Sequence, residues 1–209
     1  MKNKIIGILF FITTLSPTID AQYFPVDTAK LNSSYRELVN KPNTLVRQKN
    51  FFDAFPSTWM EFTMTYQFLP YSDYDLTMYH LGYNHVRALG ERVTLIKDSL
   101  YCNKLVRLAI GGTWFADAPN YLKSLLHQMM WKRMEGMLKV ISGLRKGNQF
   151  QFWLFYWSNL VDSKVLKTEF ERLLKLNADV YPEEMKIMSV AFEYFYDGIT
   201  IPEDYVSRK

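Results

Sequence analysis

The segment NQFQFWLFYWSNLV, residues 148–161, constrains the fold more than any other part of the chain. Six of the eight residues from Phe150 to Trp157 are aromatic. On a helix these rings would point in nearly every direction, so the segment cannot lie on the surface with one face in water. Burial of each ring removes roughly 150 to 250 Å² from solvent. The segment is therefore predicted to be a core helix, with an aromatic ligand pocket as the alternative.

The flanking sequence predicts a coat of amphipathic helices around that segment. Apolar residues recur at helical spacing, and no convincing two-residue alternation indicates a strand. The loops are short, and no long polar linker marks a domain boundary. We expect an all-α fold, a single compact domain of about eight helices packed around a central aromatic-rich helix, or the same helices arranged as stacked helical hairpins.

Several helix boundaries can be read from local chemistry. Thr58 and Glu61 have the spacing of a capping box, and Gly111-Gly112 has the composition of a helix stop. Asn148 is predicted to cap the aromatic segment. A helix is expected from Asp75 to Lys97, weakened by two internal glycines.

The first 21 residues have the pattern of a secretory signal peptide. A positive MKNK start precedes a mostly apolar run of 11 residues from Ile5 to Leu15, and Ala21 is a plausible cleavage point. That run is too short to cross ~30 Å of hydrocarbon. We expect residues 1–21 to be removed and residues 22–209 to form the helical domain, with a loosely ordered segment at 22–43. The mature protein is expected in the periplasm, or secreted, without stable membrane insertion.

The charge distribution argues against a nucleic-acid partner. The net charge of +4 comes from 25 Lys and Arg against 21 Asp and Glu. The two signs are interleaved, as in EFERLLK at residues 169–175, whereas nucleic-acid binding requires clustered basic residues.

The residues that could carry chemistry are few. The histidines His80 and His85 lie five positions apart, ~140° around a helix, so they do not share a face. The third histidine, His127, has no metal-binding motif around it, and the single cysteine, Cys102, lies in a helical apolar pattern that predicts a buried side chain. We expect no catalytic residue, metal or cofactor. The alternative is a hydrolase with a scattered site that includes Asp117, His85 and His127.

One stretch has the composition of a protein-binding surface. Tyrosines alternate with acids in YSDYDLTMYHLGY, residues 71–83. Tyrosine buries a large area at a small entropy cost and keeps a hydrogen-bonding tip, which suits an interface. The predicted partner-binding residues are Tyr71, Asp73, Tyr74, Asp75, Tyr79, Tyr83, Trp114 and Asp117.

Three segments carry a resemblance to a known group of proteins. They are FFDAFPSTWMEF (51–62), AIGGTWFADAPNYLK (109–123) and FWLFYW (152–157). Together they resemble small helical Bacteroidetes immunity-type proteins that accompany type VI secretion toxin loci, over roughly residues 50–162. The resemblance implies a periplasmic immunity protein that binds and neutralises a cognate toxin, and it implies no catalytic residues. An envelope adaptor or assembly factor is the alternative within the interaction class.

Overall fold

A computed structural model of the chain describes residues 26–66, 77–113, 117–158, 163–198, 200 and 205. These residues are all-helical, as predicted, and contain no strand. The ten helices in this part of the chain are α1 (Thr28–Asn40), α2 (Leu45–Ala54), α3 (Trp59–Tyr66), α4 (Thr77–Glu91), α5 (Asp98–Ala109), α6 (Asp117–Lys132), α7 (Met134–Ser142), α8 (Lys146–Trp157), α9 (Ser163–Asn177) and α10 (Pro182–Asp197).

The helix count exceeds the eight that we expected, because short breaks divide continuous apolar patterns. Arg133 separates α6 from α7 with a backbone at φ −138° and ψ 38°, outside the helical region. Helix α4 ends at Glu91, six residues before the Lys97 that the pattern indicated.

Local capping chemistry explains where several helices begin. The Thr58 hydroxyl accepts the Glu61 N–H at 3.2 Å, and the Glu61 carboxylate accepts the Thr58 N–H at 3.2 Å. This reciprocal pair confirms the predicted capping box. The prediction for Asn148 is wrong: the N-cap of α8 is Arg145, three residues earlier, and its side chain makes no capping bond. The Arg145 backbone is extended, and helical geometry begins at the next residue, Lys146.

Helix α8 buries its aromatic side chains on all sides. Its rings are between 0% and 2% exposed, and the helix packs against α10, α5 and α6. Side chains of this size supply much of the apolar area that stabilises the fold. The buried aromatic residues of α8 are Phe150, Phe152, Trp153, Phe155, Tyr156 and Trp157.

Helices α4 and α6 form a close pair beside this core. A Cβ atom added at Gly90 of α4 would lie 2.6 Å from Leu125 Cδ1 of α6. A Cβ atom at that distance would force the end of the Leu125 side chain to move, so glycine leaves room for this leucine where the two helices meet. The glycine that weakens the helix in isolation therefore contributes to its packing.

Helix α1 occupies part of the segment that we expected to be loosely ordered. Its Leu31 and Leu38 are fully buried, and the helix packs against α2 and α4. In the parts of the chain that the structure describes, no helix combines the length and the apolar character that a membrane span requires.

Candidate protein-binding surface

The structure joins two of the predicted interface segments. The Tyr79 hydroxyl of α4 donates a hydrogen bond of 2.8 Å to the Asp117 carboxylate at the start of α6. This bond to Asp117 raises the pKa of Tyr79, because losing the proton would place two negative charges together. The two residues are 38 positions apart in the sequence, and helix packing alone brings them into contact.

One turn further along α4, an aromatic and cationic group lies at the surface. Tyr83 is 47% exposed, and its ring meets the Tyr121 ring edge to face at 5.0 Å. The Arg87 guanidinium lies 5.4 Å from the centre of the Tyr83 ring and 3.8 Å from the Glu91 carboxylate. We call Tyr79, Tyr83, Arg87, Asp117 and Tyr121 the α4–α6 face.

A groove of about 230 Å³ runs between the two helices beside this group. Its apolar floor includes Val86 and Leu125, and its rim includes the polar side chains of Ser124 and Gln128. Such a groove is shaped to receive one or two side chains rather than a whole cofactor.

The structure describes some of the predicted interface residues and not others. Tyr79, Tyr83 and Asp117 lie together on the α4–α6 face. Sequence reasoning missed Arg87 and Tyr121, although Arg87 follows Tyr83 by one helical turn and could have been found from that spacing. The predicted residues that lie outside the described part of the chain are Tyr71, Asp73, Tyr74, Asp75 and Trp114.

A second polar cluster lies inside the molecule, where α6, α8 and α9 meet. The Glu169 carboxylate of α9 accepts hydrogen bonds from the Tyr156 hydroxyl at 2.5 Å and the Trp131 indole at 3.1 Å. His127 Nδ1 lies 2.9 Å from the same carboxylate, and the His127 and Tyr156 rings stack at 4.1 Å. The cluster connects three helices through one partly buried carboxylate. We call it the Glu169 network.

His85 lies in a cage of aromatic rings instead. Its ring centre is 4.5 Å from that of Tyr35, 6.0 Å from that of Phe51 and 5.8 Å from that of Tyr66. Its Nδ1 lies 3.0 Å from the Tyr66 hydroxyl, and its Nε2 has no hydrogen-bond partner among the described residues. Burial lowers the pKa of His85 to about 4, because charging the ring here would leave it desolvated.

Three residues considered for a scattered hydrolase site therefore have different surroundings. Asp117 contacts Tyr79, His127 contacts Glu169, and His85 is enclosed by rings. Among the described residues, no group of three or more His, Cys, Asp or Glu side chains could hold a metal ion. Cys102 is a free, fully buried thiol, and burial raises its pKa, which disfavours the reactive thiolate.

Two lysines that the sequence pattern did not single out are buried in the structure. The Lys104 ammonium donates to the carbonyls of Phe52 at 2.5 Å and Phe55 at 2.7 Å, at the end of α2. The Lys123 ammonium donates to the Ser158 carbonyl at the end of α8. Burial lowers the pKa of each lysine to about 8. Each cation therefore satisfies carbonyls that a helix terminus leaves without partners.

Comparisons with known proteins returned no match: no family model, no curated protein and no solved structure is similar to this chain.

Proposed function

We propose that this protein is a non-enzymatic immunity protein that is exported to the periplasm and neutralises a cognate interbacterial toxin, a type VI secretion effector, by binding it through the α4–α6 face. The observation that carries the proposal is the surface group of exposed Tyr83 and Arg87 with half-buried Tyr121, beside a shallow groove. Tyrosine and arginine are enriched among the residues that dominate binding energy at protein interfaces. The resemblance of three sequence segments to immunity-type proteins supports the same function.

A preformed surface favours a stoichiometric inhibitor. The two helices that present the α4–α6 face are held together by the close approach of Gly90 to Leu125 and by the bond from Tyr79 to Asp117. The proposal also takes α8 as the rigid centre against which the surrounding helices are packed. Groups that are ordered before binding lose little entropy when the complex forms, so more of the contact energy is available as affinity.

The test measures binding of the purified mature protein to the toxin encoded beside its gene. Replacement of both Tyr83 and Arg87 by alanine should weaken the complex by 10-fold or more, about 1.4 kcal/mol, because each is an exposed contact residue. Tyr194→Ala is the matched control, since Tyr194 is a partly exposed tyrosine on α10. Equal affinities for all three proteins would reject the α4–α6 face as the binding surface.

The wider function is tested by competition between bacteria. Cells that lack this protein should be killed by kin that deliver the neighbouring toxin, and their unaffected survival would reject the immunity function. Recovery of a resident envelope complex without a toxin would favour an adaptor or assembly factor instead. Substrate turnover by the purified chain, lost in Asp117→Asn or His127→Ala, would favour the hydrolase.

A further inference from the structure

The Glu169 network contains a histidine whose two ring nitrogens both face acceptors. His127 Nδ1 lies 3.0 Å and 2.9 Å from the two carboxylate oxygens of Glu169. His127 Nε2 lies 3.2 Å from the backbone carbonyl oxygen of Tyr156. A neutral imidazole carries a single N–H, so it can donate to only one of these partners. Both contacts are hydrogen bonds only when the ring carries two protons and a positive charge.

The surroundings of Glu169 require the matching negative charge. Its Oε1 already accepts from the Tyr156 hydroxyl and the Trp131 indole, while its Oε2 faces His127 at 2.9 Å. Burial alone would raise the pKa of Glu169, but the hydrogen bonds from His127, Tyr156 and Trp131 lower it below its ordinary value. An ionised carboxylate with converging donors is the arrangement that an imidazolium needs.

Other charged groups near the pair come from the same three helices. The Arg172 guanidinium of α9 lies 4.4 Å from the centre of the Trp131 ring. Lys123, one turn before His127 on α6, donates to the Ser158 carbonyl after α8. On the α4 side of α6, Arg87 and Glu91 pair with each other at 3.8 Å. Glu169 is therefore the one carboxylate that the described structure places in contact with the His127 ring.

We propose that His127 and Glu169 form a proton-dependent clasp that holds α9 against α6 and α8. The clasp is closed when His127 carries two protons and Glu169 carries none. Loss of the second proton from His127 at higher pH removes the donor to the Tyr156 carbonyl and the charge opposite Glu169. Protonation of Glu169 at lower pH removes the negative charge and so breaks the same ion pair. This device is independent of the proposed binding function.

Helix α9 is the element that such a clasp would control. It packs mainly against α10, the last helix, and its Leu166 and Leu173 are buried. Opening of the clasp therefore weakens one of the links between α9 and the rest of the molecule.

Nitrogen-15 NMR of the histidine rings tests the protonation state directly. At about pH 7, in the range where an ordinary histidine is mostly neutral, the His127 ring should show two protonated nitrogens. His80 is an exposed histidine on α4 and serves as the internal reference. A His127 ring with one unprotonated nitrogen at this pH would overturn the proposal.

Amide hydrogen exchange tests whether the proton controls α9. Protection factors for Leu166 to Asn177, corrected for the pH dependence of intrinsic exchange, should fall roughly 10-fold or more between about pH 6 and about pH 9, the range that spans histidine titration. In His127→Gln and Glu169→Gln that dependence should disappear. The matched control His80→Gln should keep the wild-type profile.

The exchange experiment also has a clear opposite outcome. Protection of α9 that does not change with pH in the wild type, or a wild-type profile in His127→Gln, would show that the pair does not act as a clasp. If a variant fails to fold, the titration of the wild-type chain still decides the question.

Discussion

Buried His85 and partly buried His127 illustrate opposite ways of accommodating an ionisable ring. His85 is enclosed by aromatic rings, and the Tyr66 hydroxyl is its one hydrogen-bond partner in the described structure. His127 meets acceptors at both nitrogens, one of which belongs to a carboxylate. Because an aromatic cage cannot solvate a charge, it favours the neutral ring, whereas converging acceptors favour the charged ring. Burial by itself therefore does not fix the charge of a histidine.

This difference predicts different responses to a change of charge. The His85 cage should lose stability in acid, when the ring is forced to accept a proton. The Glu169 network should lose stability when either partner of the pair of His127 and Glu169 loses its charge.

Removal of a ring from the aromatic cage around His85 should have the largest effect on stability. Phe51 is fully buried, and its ring lies 5.8 Å from that of Phe55 and 6.0 Å from that of His85. Phe51→Ala should lower the free energy of unfolding by about 3 to 5 kcal/mol, because it leaves a cavity. Urea denaturation measures this loss. Phe195→Ala, at a 44% exposed position, is the control, and a similar loss in both variants would contradict the prediction.

Acid should destabilise the cage through His85. Because burial lowers the pKa of this ring from 6.5 to about 4, only the unfolded state gains the proton between these values. The free energy of unfolding should fall by about 3 kcal/mol as pH decreases across this window. The measurement compares urea denaturation of the wild type with His85→Gln, which cannot titrate there but keeps an acceptor for the Tyr66 hydroxyl. Parallel pH profiles of the two proteins would show that His85 is not the group responsible.

The two buried tyrosine hydroxyls should differ in their contributions. Tyr156 donates to an ionised carboxylate, whereas Tyr66 pairs with a neutral imidazole. Tyr156→Phe should cost about 1.5 to 3 kcal/mol and Tyr66→Phe about 1 kcal/mol, because hydrogen bonds to charged groups contribute more. Thermal or urea unfolding of both single variants measures the two costs. A larger loss of stability in Tyr66→Phe than in Tyr156→Phe would contradict the prediction.

The smallest effect is expected at the edge of the Glu169 network. Arg172 lies over the Trp131 ring, 4.4 Å from its centre, at an exposed position on α9. Arg172→Ala should lower the free energy of unfolding by only about 0.5 to 1 kcal/mol, the value of an exposed cation–π contact. Arg172→Lys keeps the cation and should recover part of it. A loss as large as that of Tyr156→Phe would mean that Arg172 also supports Glu169.

Local chemistry could be predicted from the sequence wherever it depends on neighbouring residues. The Thr58 and Glu61 capping box lies within one helical turn, so spacing was sufficient. The burial of the rings from Phe150 to Trp157 followed from composition, because no orientation of that helix leaves a polar face. The break at Arg133 could not be placed from the sequence, since periodicity does not register one non-helical residue between two amphipathic segments.

The candidate surface was predictable only in part. Tyr79 and Tyr83 stood out because tyrosines and acids cluster in one stretch of sequence, and Asp117 was joined to them by inference. Arg87 and Tyr121 gave no such signal, because their importance comes from packing α4 against α6.

The amino-acid sequence alone indicates that this chain is helical, that its aromatic segment is buried, and where some helices begin. The roles of His85, His127 and the buried lysines are visible only in the folded molecule, because the charge of an ionisable group depends on the dipoles and charges around it. Those neighbours come from other helices: Glu169 is 42 positions from His127. Chain neighbours fix backbone preferences, whereas distant helices fix the electrostatic environment.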